Sequence, residues 1–286
     1  MKKILASVLM TGAMMLAPSA HAGLVALDGW RLDTTLAGGT VPVSVTTNIG
    51  HLGLLGGTST VTQVVNNLGN PFAGAAFSEF GNIFSVNYIA ENSPGTSDTG
   101  IPLTFGNGLN LQFVFTGLAG TIASFDVPTG QTSFNFTPNV GSIFLQAVSS
   151  TGTPLGVLAT FAVSNPSGGT LGNFNGVGGT RGTSNVLGLV QTSTTNLFRD
   201  SSGASLVPSL LGSLFLEVDT TNTISNPAVS IVGGCNLSGV NTPCSTVSLT
   251  SEGAANAFVN RVPEPGSLAL FGMGLLGFAA KRRRLV

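Results

Sequence analysis

The feature that most constrains this chain is a series of short runs in which apolar and polar residues alternate. In the run Leu109–Thr116, the residues Leu109, Leu111, Phe113 and Phe115 occupy every second position. Alternation with a period of two places such side chains on one face of a β-strand. Comparable runs rich in β-branched and aromatic residues recur at Thr58–Val65, Ile83–Ala90, Thr132–Phe136, Ile143–Val148, Val157–Val163, Ser213–Val218, Ala228–Val232 and Ser245–Thr250.

The segments between these runs are rich in Gly, Pro and Asn, as in Asn92–Gly100 and Asn222–Pro227. Short alternating strands separated by such breaks predict an all-β fold, an antiparallel β-sandwich or a barrel-like body. Helical patterns are scarce, and Val207–Leu211 and Glu252–Val259 are expected to form a turn or two at most. Asn165–Gly182 is predicted to be a loop, either at the surface or between two halves, and a single domain is favoured.

The N-terminal residues 1–22 have the pattern of a secretion signal. Lys2 and Lys3 precede an apolar run over Ile4–Leu16, and the small residues Ala20 and Ala22 follow. A basic region, an apolar region and a small-x-small site predict cleavage before Gly23. Export would then involve the Sec translocon and signal peptidase. The alternative is an uncleaved anchor helix.

The C-terminal residues 262–286 combine a Pro-flanked turn, an apolar run and a basic end. The apolar run Leu268–Ala280 would be about 20 Å long as a helix. Cations that follow an apolar helix are retained on the cytoplasmic side, and their long stems extend the effective span. A single transmembrane helix is therefore predicted here. Its basic stop consists of Lys281, Arg282, Arg283 and Arg284.

This tail resembles the PEP-CTERM sorting tail of Gram-negative bacteria. The resemblance rests on Pro263, Glu264 and Pro265, followed by the Gly-rich apolar run and the terminal arginines. It implies recognition and cleavage by an exosortase, an inner-membrane intermediate, and a final place at the cell surface or in the extracellular matrix. Only the tail would contact the membrane, before processing. The alternative is a tail anchor that is never cut.

The body is similar to the flocculation-associated branch of PEP-CTERM proteins. The similarity lies in Ile49–Leu52, in Phe77–Gly81 and in Leu111–Leu118. It implies a role in cell aggregation together with extracellular polysaccharide.

The charge of the predicted body, residues 23–261, limits its partners. The body contains four arginines, no lysine and ten acidic residues, a net charge of −6. Such a body lacks the basic patch that nucleic acid binding requires, so no nucleic acid partner is expected. Charged residues make up only 7% of the whole chain, against ~25% in typical soluble domains. Low charge favours association, as in a surface or matrix protein.

The two cysteines, Cys235 and Cys244, lie in a stretch rich in Gly, Asn and Pro. An even count in an exported chain predicts a disulfide. A metal site would need further ligands close in sequence, and there are none. No metal or cofactor is expected.

Few residues of the body suggest chemistry. His51 is its only histidine, and it has no catalytic partner in a recognisable motif. Glu217 and Asp219 share one face of a predicted strand and can serve a glycosidase or hold Ca²⁺, or simply form a solvated strand end. Trp30, between Asp28 and Asp33, is a candidate glycan contact or a buried residue near the mature N-terminus.

The leading hypothesis is a surface or matrix structural protein without catalytic activity, acting in flocculation and biofilm cohesion with exopolysaccharide. A secreted carbohydrate-binding module is the alternative, and a secreted carboxylate-dependent hydrolase is the third hypothesis. The sequence contains no GxSxG, HExxH or P-loop motif, which favours the non-enzymatic hypotheses.

Overall fold

The computed structural model describes residues 23–27, 29–33, 49–90, 101–102, 110–149, 151–172, 181–194, 196–207, 210, 213–224, 230–235, 237 and 242–261. These residues form β-strands, turns and bends, and none of them is helical. The predicted all-β antiparallel fold is confirmed. The strands are β1 (Gly23–Ala26), β2 (Arg31–Leu32), β3 (Ile49–Val64), β4 (Ala76–Ala90), β5 (Ile101–Pro102), β6 (Asn110–Asp126), β7 (Gln131–Phe136), β8 (Ser142–Val148), β9 (Pro154–Leu171), β10 (Arg181–Ser193), β11 (Phe198–Arg199), β12 (Leu214–Ile224), β13 (Ser230–Cys235) and β14 (Thr242–Arg261).

Contacts divide the chain into two compact units. One comprises residues 26–259 and contains the sheet described below. The other comprises residues 1–25 and 260–286, of which the structure describes 23–25 and 260–261. The predicted signal peptide and sorting helix lie outside the described residues.

The main sheet closes on itself. Its strands follow the order β4, β3, β14, β12, β10, β9, β7, β6, and β6 pairs in turn with β4. Strands β7 and β8 share the place between β6 and β9, each pairing with a different part of those two longer strands. Closure leaves the strands in this ring with partners on both sides, which corresponds to the barrel-like alternative of the prediction.

The interior is filled by alternate residues of the long strands. In β12, Leu216 and Val218 point inward and are buried, while Glu217 and Asp219 on the opposite face remain half-buried. Phe134 and Phe136, which take alternate positions in the predicted run Thr132–Phe136, both point inward from β7 and pack edge to face against Phe77 of β4. One apolar core therefore lies inside the ring.

A small second sheet, β2 with β11, contributes its own buried residues to this core. Leu32 pairs with Phe198, and the rings of Trp30 and Phe198 lie 6.2 Å apart between centroids. Arg199 donates from Nε and Nη2 to Oδ2 of Asp33, at 3.1 and 2.7 Å. The ion pair joins the ends of two short strands that are far apart in sequence.

Glycines allow neighbouring strands to approach closely at two positions. A Cβ atom at Gly253 of β14 would meet the carbonyl oxygen of Asp219, and one at Gly120 of β6 would meet the carbonyl oxygen of Asn135. Glycine inside a strand commonly marks such a close backbone approach.

Two local predictions were wrong. Glu252–Val259, with its predicted helical turn or two, is instead part of β14. Its Ala255, Ala257 and Val259 alternate inward, and β12 supplies ladder partners along the segment. Tertiary pairing thus overrides local propensity.

The other error concerns Asn165–Gly182. Residues 165–171 belong to β9, and 181–182 begin β10, while 173–180 lie outside the described residues. Gly168 and Gly169 there pair with β7 and β10, so glycines that suggested a loop serve a close strand contact. In the predicted Val207–Leu211 turn, Val207 and Leu210 are described and both lie in turns.

Candidate functional site

The outer surface of the sheet carries an array of hydroxyl side chains, which we call the hydroxyl face. This face follows from the alternation of side chains along each strand. Ser59, Val61 and Gln63 of β3 point inward, so the threonines between them point outward. The same alternation operates in β14 and β12. The hydroxyl face consists of Thr58, Thr60 and Thr62 of β3, Thr246, Ser248 and Thr250 of β14, and Thr221 and Thr223 of β12.

The strand register places these hydroxyls side by side. Thr62 lies opposite Thr246, and Thr60 lies opposite Ser248. Thr250 lies between Thr58 on one side and Thr223 on the other. Directly opposed residues have Cβ atoms about 4.5–5.5 Å apart, so the hydroxyl face presents a regular two-dimensional pattern of OH and methyl groups.

An exposed aromatic ring adjoins the hydroxyl face. Phe80 of β4 lies directly opposite Thr60, and 58% of its surface is exposed. The acidic Glu252, opposite Thr221, lies at the other margin and is also exposed. An uncharged group of hydroxyls beside an apolar ring can make both hydrogen bonds and stacking contacts with a sugar.

The predicted acidic pair lies next to this surface. Glu217 and Asp219 share the outer face of β12, as expected, and the side-chain amide of Asn185 in β10 joins them. Asn185 Nδ2 donates to Oε1 of Glu217 and, at 2.7 Å, to Oδ1 of Asp219. Both carboxylates thus accept from one neutral donor on the same side of the sheet.

A groove of about 460 Å³ runs over these strands. Gly168, Gly169 and Gly253 lie in its lining together with Asn185 and Asp219. The groove can accept a ligand that offers hydrogen-bond donors to the Asp219 carboxylate.

Trp30 is completely buried, with 0% exposure, and its Nε1 donates to the Gly50 carbonyl at 3.4 Å. It contacts Phe198 rather than solvent. Its indole therefore has no exposed face for a glycan. The structure shows the alternative prediction, a buried residue near the mature N-terminus. Asp33 binds Arg199, and Asp28 lies outside the described residues.

The remaining predicted residues are dispersed. His51 is half-buried in β3, and no group of three or more metal-binding side chains occurs among the described residues. Cys235 and Cys244 form the predicted disulfide, with 5.8 Å between their Cα atoms. It joins β13 to β14.

The proposed processing sites lie mostly outside the described part of the chain. Gly23 is the first residue of β1. Ala20, Ala22, Pro263, Glu264, Pro265 and the basic stop at 281–284 lie outside it. Within the described residues, no helix has the length and apolarity needed to cross a membrane.

One inward-pointing ionisable residue was not predicted from the sequence. Glu79 of β4 points inward, opposite Val61 and Leu118. Burial raises the pKa of Glu79 above its ordinary value, and the nearby Ser59 hydroxyl lowers it by a smaller amount. Its position two residues after the inward Phe77 was the available signal, since alternate residues of a strand share a face.

Comparison with known proteins identifies the C-terminal tail. Residues 261–284 match the family model of the PEP-CTERM protein-sorting motif. The chain thus carries a PEP-CTERM sorting motif, as the resemblance of its tail implied. The motif indicates an exported protein with a membrane-anchored intermediate that is sorted by an exosortase. No curated protein matched the chain.

Proposed function

We propose that this exported protein is a non-catalytic component of the cell surface or extracellular matrix, where it promotes flocculation and biofilm cohesion by binding exopolysaccharide. The observation that carries the proposal is the hydroxyl face with the exposed Phe80 at its margin. Such a surface supports many weak contacts along a polymer, and linked weak contacts add up to high avidity.

The charge of the body favours a neutral polysaccharide over an acidic one. The body, residues 23–261, carries a net charge of −6, which repels polyanions at low salt. The hydroxyl face itself contains no ionisable side chain. Its hydroxyls both donate and accept, which matches the hydroxyls of a neutral sugar chain.

The test is the binding of purified exported protein to an insoluble neutral polysaccharide such as cellulose. Phe80→Ala removes the stacking ring and should weaken binding about three- to tenfold. Phe72→Ala is the matched control, because Phe72 is also exposed, at 41%, but lies in the connection between β3 and β4. Equal binding by the wild type and Phe80→Ala would contradict binding of polysaccharide at the hydroxyl face.

The cellular role has its own test. Deletion of the gene should reduce the cohesion of flocs or biofilm, and the wild-type gene should restore it. Complementation with Phe80→Ala should restore less than complementation with Phe72→Ala. Unchanged cohesion after deletion would contradict the proposed role in flocculation.

The groove favours a second candidate function, that of a carbohydrate-binding module for short sugars. In this case a soluble oligosaccharide would bind saturably, and Asp219→Asn would weaken it because the carboxylate is the stronger acceptor. Binding through the hydroxyl face should instead be measurable only with a polymer, because it depends on avidity. If the wild type breaks down polysaccharide and Glu217→Gln does not, a hydrolase would be favoured over both binding functions.

A further inference from the structure

Glu79 is half-buried and points inward from β4. Its strand neighbours Val61 and Leu118 are 5% and 1% exposed. Both lie directly opposite it, so their side chains share its inner face. Its own neighbour Phe80 lies on the outer face. The carboxyl group therefore projects into the interior of the ring.

Two small cavities adjoin the Glu79 side chain. Glu79, Ser184 and Asn222 line both of them. The first offers about 10 Å³ and the second about 20 Å³ to the centre of a water molecule. One water requires roughly 10–15 Å³ by this measure. Each of these two cavities thus has room for about one water.

Thr132 provides an independent indication of a ligand. Thr132 lines the first cavity and has 0% exposure, and its Oγ1 makes no hydrogen bond to the described residues. Leaving a buried hydroxyl unsatisfied costs about 1–3 kcal/mol. Folded proteins almost always satisfy such groups, with ordered water where no protein partner is in reach.

The other polar groups at the cavities already have partners. Asn222 Nδ2 donates to Ser184 Oγ at 3.1 Å, and Ser184 shares a hydrogen bond of 2.6 Å with Thr220. Gln63 Nε2 donates to Ser245 Oγ at 3.1 Å, and Ser251 Oγ donates to Asn222 Oδ1 at 2.6 Å. Among the residues that line the cavities, the carboxyl of Glu79, which also lies near the Ser59 hydroxyl, and the hydroxyl of Thr132 remain available to a water.

We propose that the interior of the sheet contains an ordered water site at which water bridges the carboxyl of Glu79 and the hydroxyl of Thr132, and that Glu79 holds this water as a neutral carboxylic acid. A neutral acid both donates and accepts, so it can satisfy a water that also bonds a hydroxyl.

The surroundings of Glu79 explain why it stays neutral. Of the residues lining the two cavities, Glu79 alone is ionisable. Strands β3, β7, β10, β12 and β14 present amides, hydroxyls or apolar groups, and β6, β8 and β9 present only apolar groups. An ionised carboxylate here would lack a counter-charge among these lining residues, and burial disfavours the charged form. Burial correspondingly raises the pKa of Glu79.

The pH dependence of stability follows from this arrangement. As the pH rises above the ordinary pKa of glutamate, the unfolded chain loses the proton while the folded protein still keeps it. The folded state is therefore destabilised progressively until the pH reaches the raised pKa of the folded protein. Below the ordinary value of the unfolded chain, both states are protonated and this effect vanishes.

The experiment compares the full exported protein with Glu79→Gln, which keeps the size and stays neutral at every pH. The urea midpoint of the wild type should fall relative to that of Glu79→Gln as the pH rises from 4 to 8. Glu252→Gln is the control, because Glu252 is an exposed acid on the outer face and should give a curve parallel to the wild type. Parallel curves for Glu79→Gln and the wild type would overturn the neutral carboxyl.

The water itself is tested by high-resolution crystallography of the wild type and of Thr132→Val. The wild type should show a water within hydrogen-bond distance of Glu79 and Thr132, and Thr132→Val should lose it or show it displaced. A dry cavity in the wild type, or a direct hydrogen bond between Glu79 and Thr132, would overturn the site.

Discussion

At the scale of single residues, Trp30 shows how one side chain stabilises the fold, although the sequence alone did not decide whether it is buried. It is fully buried against Phe198. Trp30→Ala should therefore lower the free energy of unfolding by about 3–5 kcal/mol, the range for large aromatic truncations. Urea denaturation measures the loss. The control, Phe72→Ala, removes an exposed ring and should change stability by less than about 0.5 kcal/mol.

A small loss in Trp30→Ala, equal to that of the control, would show that the indole is not packed as described. The same variant should leave polysaccharide binding per folded molecule unchanged, because the indole has no exposed face. Reduced binding by folded Trp30→Ala protein would return Trp30 to the candidate glycan contacts.

At the scale of strands, the glycines decide where neighbouring backbones can approach. Gly253→Ala should destabilise the protein by about 1–3 kcal/mol, since the new methyl group would collide with the carbonyl of Asp219 on β12. Gly156→Ala is the matched control in β9, because a Cβ there meets nothing within 4 Å. It should be neutral or stabilise by about 0.5–1 kcal/mol. Thermal unfolding of the two variants should separate them, and equal midpoints would contradict the close contact of β12 and β14.

The connection of β13 to β14 depends on a covalent bond. Cys235 and Cys244 are separated by nine positions, and a loop of this size contributes about 2.5 kcal/mol on the chain-entropy model. Replacing both cysteines with serine should cost roughly that amount in urea denaturation. In the wild type, alkylation without reduction should label neither thiol, and labelling of both would rule the disulfide out.

At the scale of the whole molecule, the two ends are predicted to control where the body is delivered. The sorting motif at 261–284 predicts that Pro263, Glu264 and Pro265 are read by a protein partner. Changing all three to alanine leaves the apolar run and the basic stop intact, so membrane insertion should proceed as before. The variant should nevertheless accumulate in the membrane as the longer, uncleaved form. Pulse-labelling followed by fractionation measures this.

Normal processing and release of the triple variant would contradict recognition of the motif. Replacement of Arg282, Arg283 and Arg284 is not informative here, because an anchor and a sorting signal both need the cations. The N-terminal end is checked separately by mass spectrometry of the mature protein, which should begin at Gly23.

The sequence by itself determined the β character of the chain, the inward parity of residues such as Phe134 and Phe136, the disulfide and the sorting motif. These depend on local properties: alternation, paired cysteines and a short contiguous signal. Alternation also placed Glu217 and Asp219 on one face. It could not show that Asn185 joins them, because that contact is between different strands.

Only the tertiary structure decided which strands pair. Strand pairing in turn decided which side chains are buried and which lie side by side. Gly168 and Gly169 suggest a loop in isolation, and Gly253 lies in a predicted helical turn, yet all three are strand residues because a neighbouring backbone occupies the space of a side chain. Strand pairing placed Glu79 opposite the buried Val61 and Leu118 and brought Phe80 beside Thr60, and packing against Phe198 buried Trp30. Each outcome depends on residues distant in sequence, and the free energy of burying a side chain is set by those neighbours rather than by the local pattern.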